Sequence, residues 1–437
     1  MIKLLKIILT ILITSFYFFP IDIVYLPTNT KNLLAAIGIV FIVFELIRKK
    51  DFSIPQHLLI LLMLSGMVSI MSLVSITYNQ TPDTTYVTYI RSAVIWLSGA
   101  YSVAYIIRAV HGRIDVPLVV HYLIGVCLFQ CVSAMLIQFV PPFQEFVDSY
   151  VQQGQDLLKD IGRIYGIGAS LDVAGSRFAA VLVAIAFMLV SSPKRLSIGM
   201  TLFYTMSFVI ITVVGNMIAR TTVIGDAIGF AWILFSSFIL PNDRPRENVS
   251  AKWLTVLATV GILVTVSVAL YNAFPDVQDL MRFAFEGFFN WVETGEWQTD
   301  STSKLESMVV WPDNLKTWII GDGYFSNSRY DPNYLGEATD KGFYMGTDIG
   351  YLRFLFYFGI LGLVWIVAVV AYAAIVCAQQ FKEYAWLFIM ALGVGLVIWA
   401  KVSTDIFLFF CPFLCAAALR IKADDQSVTA DETSQTP

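Results

Sequence analysis

The chain has 437 residues, of which 57% are apolar and only 14% charged, with a mean hydropathy of +0.72. Soluble chains carry about 45–50% apolar and 25% charged residues. This apolar excess therefore needs lipid as its solvent, and it excludes a soluble enzyme, a disordered chain, a nucleic-acid binder and a disulfide-stapled secreted module. The net charge of -4 says little about partners, because its distribution across a membrane matters more.

A bilayer span needs roughly 20 apolar residues. Met1–Pro20 places Lys3 and Lys6 before an apolar run, as a signal peptide does. It has no small-x-small cleavage site and ends in Phe16-Tyr17-Phe18-Phe19-Pro20, so it reads as an uncleaved first span. Further apolar runs fall at about 31–47, 56–77, 87–107, 116–140, 176–191, 198–215, 220–240, 252–271, 348–377, 384–400 and 403–419. The expected fold is an all-α polytopic membrane protein of about twelve transmembrane helices. Helices one to nine occupy 1–271, interrupted by a loop at 141–175; a large, partly helical loop fills 272–347; helices ten to twelve occupy 348–420. The run 348–377 exceeds one span and is expected to tilt or to project beyond the membrane. The acidic, polar tail 421–437 is expected to be disordered.

Short cytoplasmic loops retain Lys and Arg. With the N-terminus inside, Arg48-Lys49-Lys50, Arg108 with Arg113, Lys194-Arg195, Arg244 with Arg246, Lys382 and Arg420/Lys422 all fall inside. The alternate connections near 20–30 and 78–86 carry no base. Both termini are then cytoplasmic, and 141–175 and 272–347 lie outside, which in a bacterium is the periplasm.

Five arginines run against that bias at the outer face: Arg91, Arg163, Arg177, Arg220 and Arg353. The planar guanidinium fork matches phosphate oxygens, so a lipid phosphate or pyrophosphate would supply the counter-charge. Pairing with local carboxylates, or snorkelling to headgroups, is the simpler alternative for any one of them. The large loop holds twelve acids against five bases and fifteen aromatic residues. Aromatic faces with carboxylates suit sugars, and Trp311, Trp318, Tyr324 and Asp322 are the candidates; an interfacial aromatic belt is the alternative, above all for the Phe cluster. Spacing predicts a helix through Val277–Phe289 and a second short one through Leu305–Trp311.

The three histidines (His57, His111, His121) fall near the cytoplasmic side, so an outer proton acceptor must be Asp, Glu or Tyr. Asp348, at the loop-to-membrane junction, is the candidate, since partial burial would raise its pKa; capping the tenth helix is its structural alternative. Asp226, inside the eighth span, is an intramembrane acid that could pair with an arginine. No Asp-x-Asp motif stands on the outer side, no phosphate-binding loop occurs, and the five cysteines all sit in spans; neither a metal nor a cofactor is expected.

Gly321-Asp322-Gly323-Tyr324, then Thr347-Asp348-Ile349-Gly350-Tyr351-Leu352-Arg353, then Tyr357-Phe358-Gly359-Ile360-Leu361-Gly362 follow one another in order. With Arg163-Ile164-Tyr165-Gly166 and Ala219-Arg220-Thr221, residues of about 160–365 resemble the O-antigen polymerase (Wzy) and O-antigen ligase superfamily of membrane glycosyltransferases. The resemblance implies a GT-C-like, metal-independent transferase of the bacterial inner membrane with a periplasmic active site. It implies an undecaprenyl-pyrophosphate-linked oligosaccharide donor and a chain-length regulator as partner. Carried over, Arg163 and Arg220 would hold the pyrophosphate, Arg177 less securely with them, and Asp348 would act beside the acceptor. Arg91 and Arg353, from the charge argument, and Tyr351 are the further substrate-binding candidates. The ligase branch has His near the position of Asp348; this chain has none outside, which favours repeat-unit polymerisation over ligation to lipid A–core. A lipid-linked oligosaccharide flippase is the rival from another class, but such proteins have short loops and often inverted repeats, and no repeat is evident.

Overall fold

A computed structural model describes residues 2–48, 55–160, 162–193, 196–239, 249–326, 334 and 342–419. The basic runs at 49–50, 194–195 and 244–246, Arg420/Lys422 and the tail 421–437 lie outside the described residues, as do Arg329 and most of 327–341.

The chain folds as α1 (Ile2–Phe18), α2 (Thr30–Arg48), α3 (Gln56–Asn79), α4 (Tyr89–His111), α5 (Val116–Phe139), α6 (Pro141–Tyr150) and α7 (Gln155–Asp160). It continues through α8 (Leu171–Ser191), α9 (Ile198–Ile218), α10 (Val223–Ile239), α11 (Val249–Ala273), α12 (Pro275–Ala284), α13 (Glu286–Thr294), α14 (Asp300–Glu306) and α15 (Leu315–Ile320). It closes with α16 (Gly350–Gln380), α17 (Ala385–Ile398) and an apolar helical segment Phe407–Leu419. Among the described residues, seven helices are long and apolar enough to cross a membrane: α2, α3, α4, α5, α8, α9 and α16. A helix stands at each of the other five predicted spans, with α1 and α10 at 17 residues and α17 at 14.

α8 is the axis of the bundle. It packs against α5, α9, α10 and α17, and 89% of its apolar window is buried, against 22% for α2. An apolar helix buried on all sides belongs to a core, whereas one that is mostly exposed borders lipid.

α16 is one predicted span and two helical pieces. Phe358 and Gly359 leave helical geometry, Gly359 at φ 66°, ψ -171°, a region that only glycine enters readily. The break frees two carbonyls, and each finds a donor. Asp322 N–H donates to Phe356 O at 2.6 Å, while Gly323 N–H and Ser75 Oγ donate to Tyr357 O at 3.1 and 2.7 Å. The Gly-Asp-Gly turn of the large loop is thus the cap of a broken membrane helix. Asp322 is buried, accepting from Lys316 Nζ (2.5 Å), Thr317 Oγ1 (2.6 Å) and Tyr344 OH (3.2 Å).

The loops differ from the expected pattern in ways that packing explains. The helix predicted through Val277–Phe289 is two, α12 and α13, divided at Phe285. The second predicted helix stops at Glu306, and α15, not foreseen, follows with Asn314 accepting from Thr317 N–H as its cap. The loop 141–175 folds into α6 and α7 over its own cluster of Ile21, Ile137, Val147, Val151, Leu158 and Tyr165. A two-residue strand pair, Asp22–Ile23 with Val151–Gln152, joins this loop to the connection after α1. Thr81 Oγ1 donates to Gly323 O (2.9 Å), and Asp83 accepts from Phe325 N–H (2.8 Å). The connections predicted to share one side of the membrane therefore meet at one end of the bundle.

Candidate functional site

At that end lies a cleft of about 480 Å³. Its charged lining consists of four cations (Arg163, Arg220, Lys304 and Lys401) and two carboxylates (Asp172 and Asp348). Leu157, Met308 and Phe343 are among its apolar walls.

Arg163 follows Gly162, which takes φ 63° to end α7; the Arg163 N–H then donates to Leu158 O at 2.8 Å. Arg220 opens a single 3-10 turn, Arg220–Thr222, between α9 and α10. Gly175 of α8 seats that turn, since a Cβ there would stand 2.9 Å from the side chains of Ala219 and Thr221. Both guanidinium groups lie over Phe283 of α12, at 3.9 Å (Arg163) and 4.4 Å (Arg220) from the ring centroid. Such stacking holds an arginine while leaving its edge donors free. Arg220 forms an ion pair with Glu286, and its Nε has no acceptor among the described residues. Burial lowers the pKa of both arginines, and the charge of Arg163 adds to the effect on Arg220.

Asp348 precedes α16 and pairs with Arg353 Nη1 at 3.2 Å. It makes no side-chain cap to the helix, so the capping alternative falls away. Burial pushes its carboxyl up to about 6; Arg353 pulls against this, and Asp172 adds to it. Arg353 does not line the cleft. It is fixed by Ser403 Oγ (3.1 Å), by Phe325 O (3.2 Å) and by the ring of Phe325, 3.6 Å away. Its link to the cleft is its ion pair with Asp348.

The remaining candidates lie elsewhere. Arg177 is 8% exposed against Phe18 and Phe19, lining a separate small cavity with Asp405. Arg91 is exposed on the first turn of α4. Tyr351 OH donates to Leu396 O at 2.8 Å, and Tyr324 stacks on Tyr344 in a buried aromatic cluster. Trp311 and Trp318 stack nearly parallel (8°, 5.9 Å), Trp311 being 62% exposed. Among the described residues Asp226 meets no arginine; it accepts from Thr212 Oγ1 (2.6 Å) and Asn216 Nδ2 (2.8 Å).

Three charged cleft residues were not foreseen, Asp172, Lys304 and Lys401, nor was Glu286, which pairs with Arg220. Lys401 carried the same signal as the arginines, a base where the topology places the outer face. It was absorbed into the boundary between two adjacent spans. Asp172 lies in the first turn of α8, where an acid reads as favourable for the helix dipole. Among the described residues, no three His, Cys, Asp or Glu side chains converge as a metal site.

No family model, no curated protein and no solved structure matches the chain. The class defined by fold and site is a polytopic α-helical membrane protein with a cation-rich cleft at one end.

Proposed function

We propose that the chain is a membrane glycosyltransferase that polymerises lipid-pyrophosphate-linked oligosaccharide repeat units at the periplasmic face, with twelve spans and both termini cytoplasmic. The observation that carries this reading is the convergence of Arg163, Arg220 and Asp348, far apart in sequence, on one cleft.

The chemistry requires two things on one side of the membrane. The departing pyrophosphate needs positive charge where its negative charge develops, and Arg163 and Arg220 supply it. The attacking hydroxyl of the acceptor sugar must lose its proton, and Asp348, with a pKa of about 6, is ionised near neutrality and basic enough to take it. The hydroxyl oxygen forms the new bond to the anomeric carbon, the carbon–pyrophosphate oxygen bond breaks, and the lipid pyrophosphate leaves with the electron pair. The stacked Trp311–Trp318 pair outside the cleft offers an aromatic face for the growing saccharide. The absence of any cleft histidine keeps polymerisation ahead of ligation.

The test is the surface polysaccharide of a deletion strain beside strains complemented with wild type, Arg220→Ala or Asp348→Asn, each checked for membrane insertion. The expected outcome is core bearing a single repeat unit, without a ladder, in the deletion and both variants. A full ladder in both variants would remove the site assignment. Bare core with long lipid-linked polymer outside would assign ligation instead.

A further inference from the structure

We infer that Lys401 is a specificity-determining residue of the cleft, contacting the second phosphate group of a polyprenyl diphosphate while Arg163 and Arg220 hold the first. This rests on the reading of the cleft as a lipid-diphosphate site.

Lys401 sits in the turn that ends α17, and that turn is pinned. Trp399 Nε1 donates to Thr404 O (2.8 Å), Tyr351 N–H donates to Trp399 O (3.0 Å), and the Lys401 N–H donates to Ile398 O (2.8 Å). Gly350 lets the turn lie against the start of α16, since a Cβ there would stand 2.7 Å from Trp399 O. The ammonium is held as firmly as its backbone. Nζ donates to Asp172 Oδ1 at 2.8 Å and to Thr221 Oγ1 at 2.7 Å, and Thr221 in turn donates to Asp172. An ammonium has three protons; these bonds use two, and the side chain lines the cleft.

Three of the four cleft cations are linked through shared neighbours. Arg163 and Arg220 share Phe283, and Thr221, the neighbour of Arg220, carries the bond to Lys401. A monophosphate satisfies one station of such a linked set, whereas a diphosphate spans two. The second station is an ammonium that Asp172 and Thr221 hold in place. Asp172 and Thr221 are positioning residues under this inference, and Lys401 is a ligand contact.

The experiment measures binding of undecaprenyl diphosphate, undecaprenyl monophosphate and neutral undecaprenol to the full chain in detergent, by titration calorimetry. Wild type is compared with Lys401→Met, Thr221→Val and Arg220→Ala. Lys401→Met keeps the length of the side chain and removes its charge. It should weaken the diphosphate about tenfold, the scale of one lost charge-assisted hydrogen bond, and leave the monophosphate within about twofold. Thr221→Val keeps the charge and leaves the ammonium held by Asp172 alone, and should weaken the diphosphate by a smaller factor in the same selective way; it carries the test if Lys401→Met does not fold. Equal weakening of both phosphates, or of neither, overturns the inference. If Arg220→Ala loses affinity for both lipids while the Lys401 and Thr221 variants bind as wild type, only the Lys401 inference falls. If wild type binds neither phosphorylated lipid better than undecaprenol, the reading of the cleft falls with it.

Discussion

Replacing Arg353 by Gln isolates the base assigned to Asp348, because Arg353 touches that carboxylate at 3.2 Å and does not line the cleft. The Asp348 pKa of about 6 is the resultant of burial and Asp172, which raise it, and of Arg353 and, less strongly, Lys401, which lower it. Removing a close cation from a carboxylate is worth about one to three pKa units. The lower end is appropriate here, since the Asp348 side chain keeps 26% exposure. The variant carboxyl should therefore titrate about one unit higher. A base must be ionised to accept a proton, so activity rises with pH through the folded pKa. At pH 6 the ionised fraction would fall from about half to about a tenth, roughly a fivefold loss, and near pH 8 the variant should come within about twofold of wild type. The assay is the initial rate of chain extension by purified protein on its lipid-linked repeat unit, between pH 5 and 8.5. An acid limb that stays where wild type has it, with a uniform loss at all pH values, would refute the role of Asp348 as base and leave Arg353 a packing residue.

Arg220→Ala should abolish extension and cost stability as well, because Glu286 then remains partly buried without its partner; a thermal shift with Arg220→Ala/Glu286→Gln recovered towards wild type, and activity still absent, separates the two effects. Gly359→Ala should destabilise by about 3 kcal/mol or more, since its φ is 66° and an added Cβ would stand 2.2 Å from Ile319 O; denaturation of the detergent-solubilised chain measures it, and an unchanged midpoint would mean the α16 break is not held as described. Asp322→Ala should lower stability by about 3 kcal/mol, because it leaves Lys316 without the carboxylate it donates to; loss of activity with full stability would make Asp322 a functional group after all. Trp311→Ala, at an exposed position, should raise the KM for the lipid-linked acceptor severalfold with no change in unfolding temperature; an unchanged KM would return the pair to the interfacial aromatic alternative.

The helices were legible in the sequence because lipid imposes one rule on every span: an unbroken apolar run whose backbone satisfies itself. The break inside α16 was not legible as a break. Tyr357-Phe358-Gly359 reads as uninterrupted hydropathy, and only the arrival of Asp322 and Gly323 at Phe356 O and Tyr357 O makes an interruption tolerable. For the same reason Asp322 and Tyr324 read as sugar contacts in an aromatic loop, whereas their side chains are buried in the joint between loop and helix. Hydropathy reports each segment by itself, and a joint of this kind belongs to two segments that are distant in the chain.

The outer-face arginines show how far a charge-against-topology argument reaches. It selected Arg163 and Arg220, which stack on one ring, and it selected Arg177, buried beside Asp405, and Arg353, half-buried beside Asp348. Sequence could not separate these pairs, because the difference lies in where the side chains sit: Arg163 and Arg220 line the cleft, and Arg177 and Arg353 do not. Arg353 has Asp348 and Arg220 has Glu286, whereas Arg163 has no acid within ion-pair distance among the described residues. A cation that runs against the topology and packs away from any cleft holds the fold, and one that lines a cleft is the one to expect against an anionic ligand, even where a carboxylate stands behind it, as Glu286 does behind Arg220. Lys401 is placed as Arg220 is, paired with an acid and still lining the cleft. Its role therefore turns on the proton that Asp172 and Thr221 leave over.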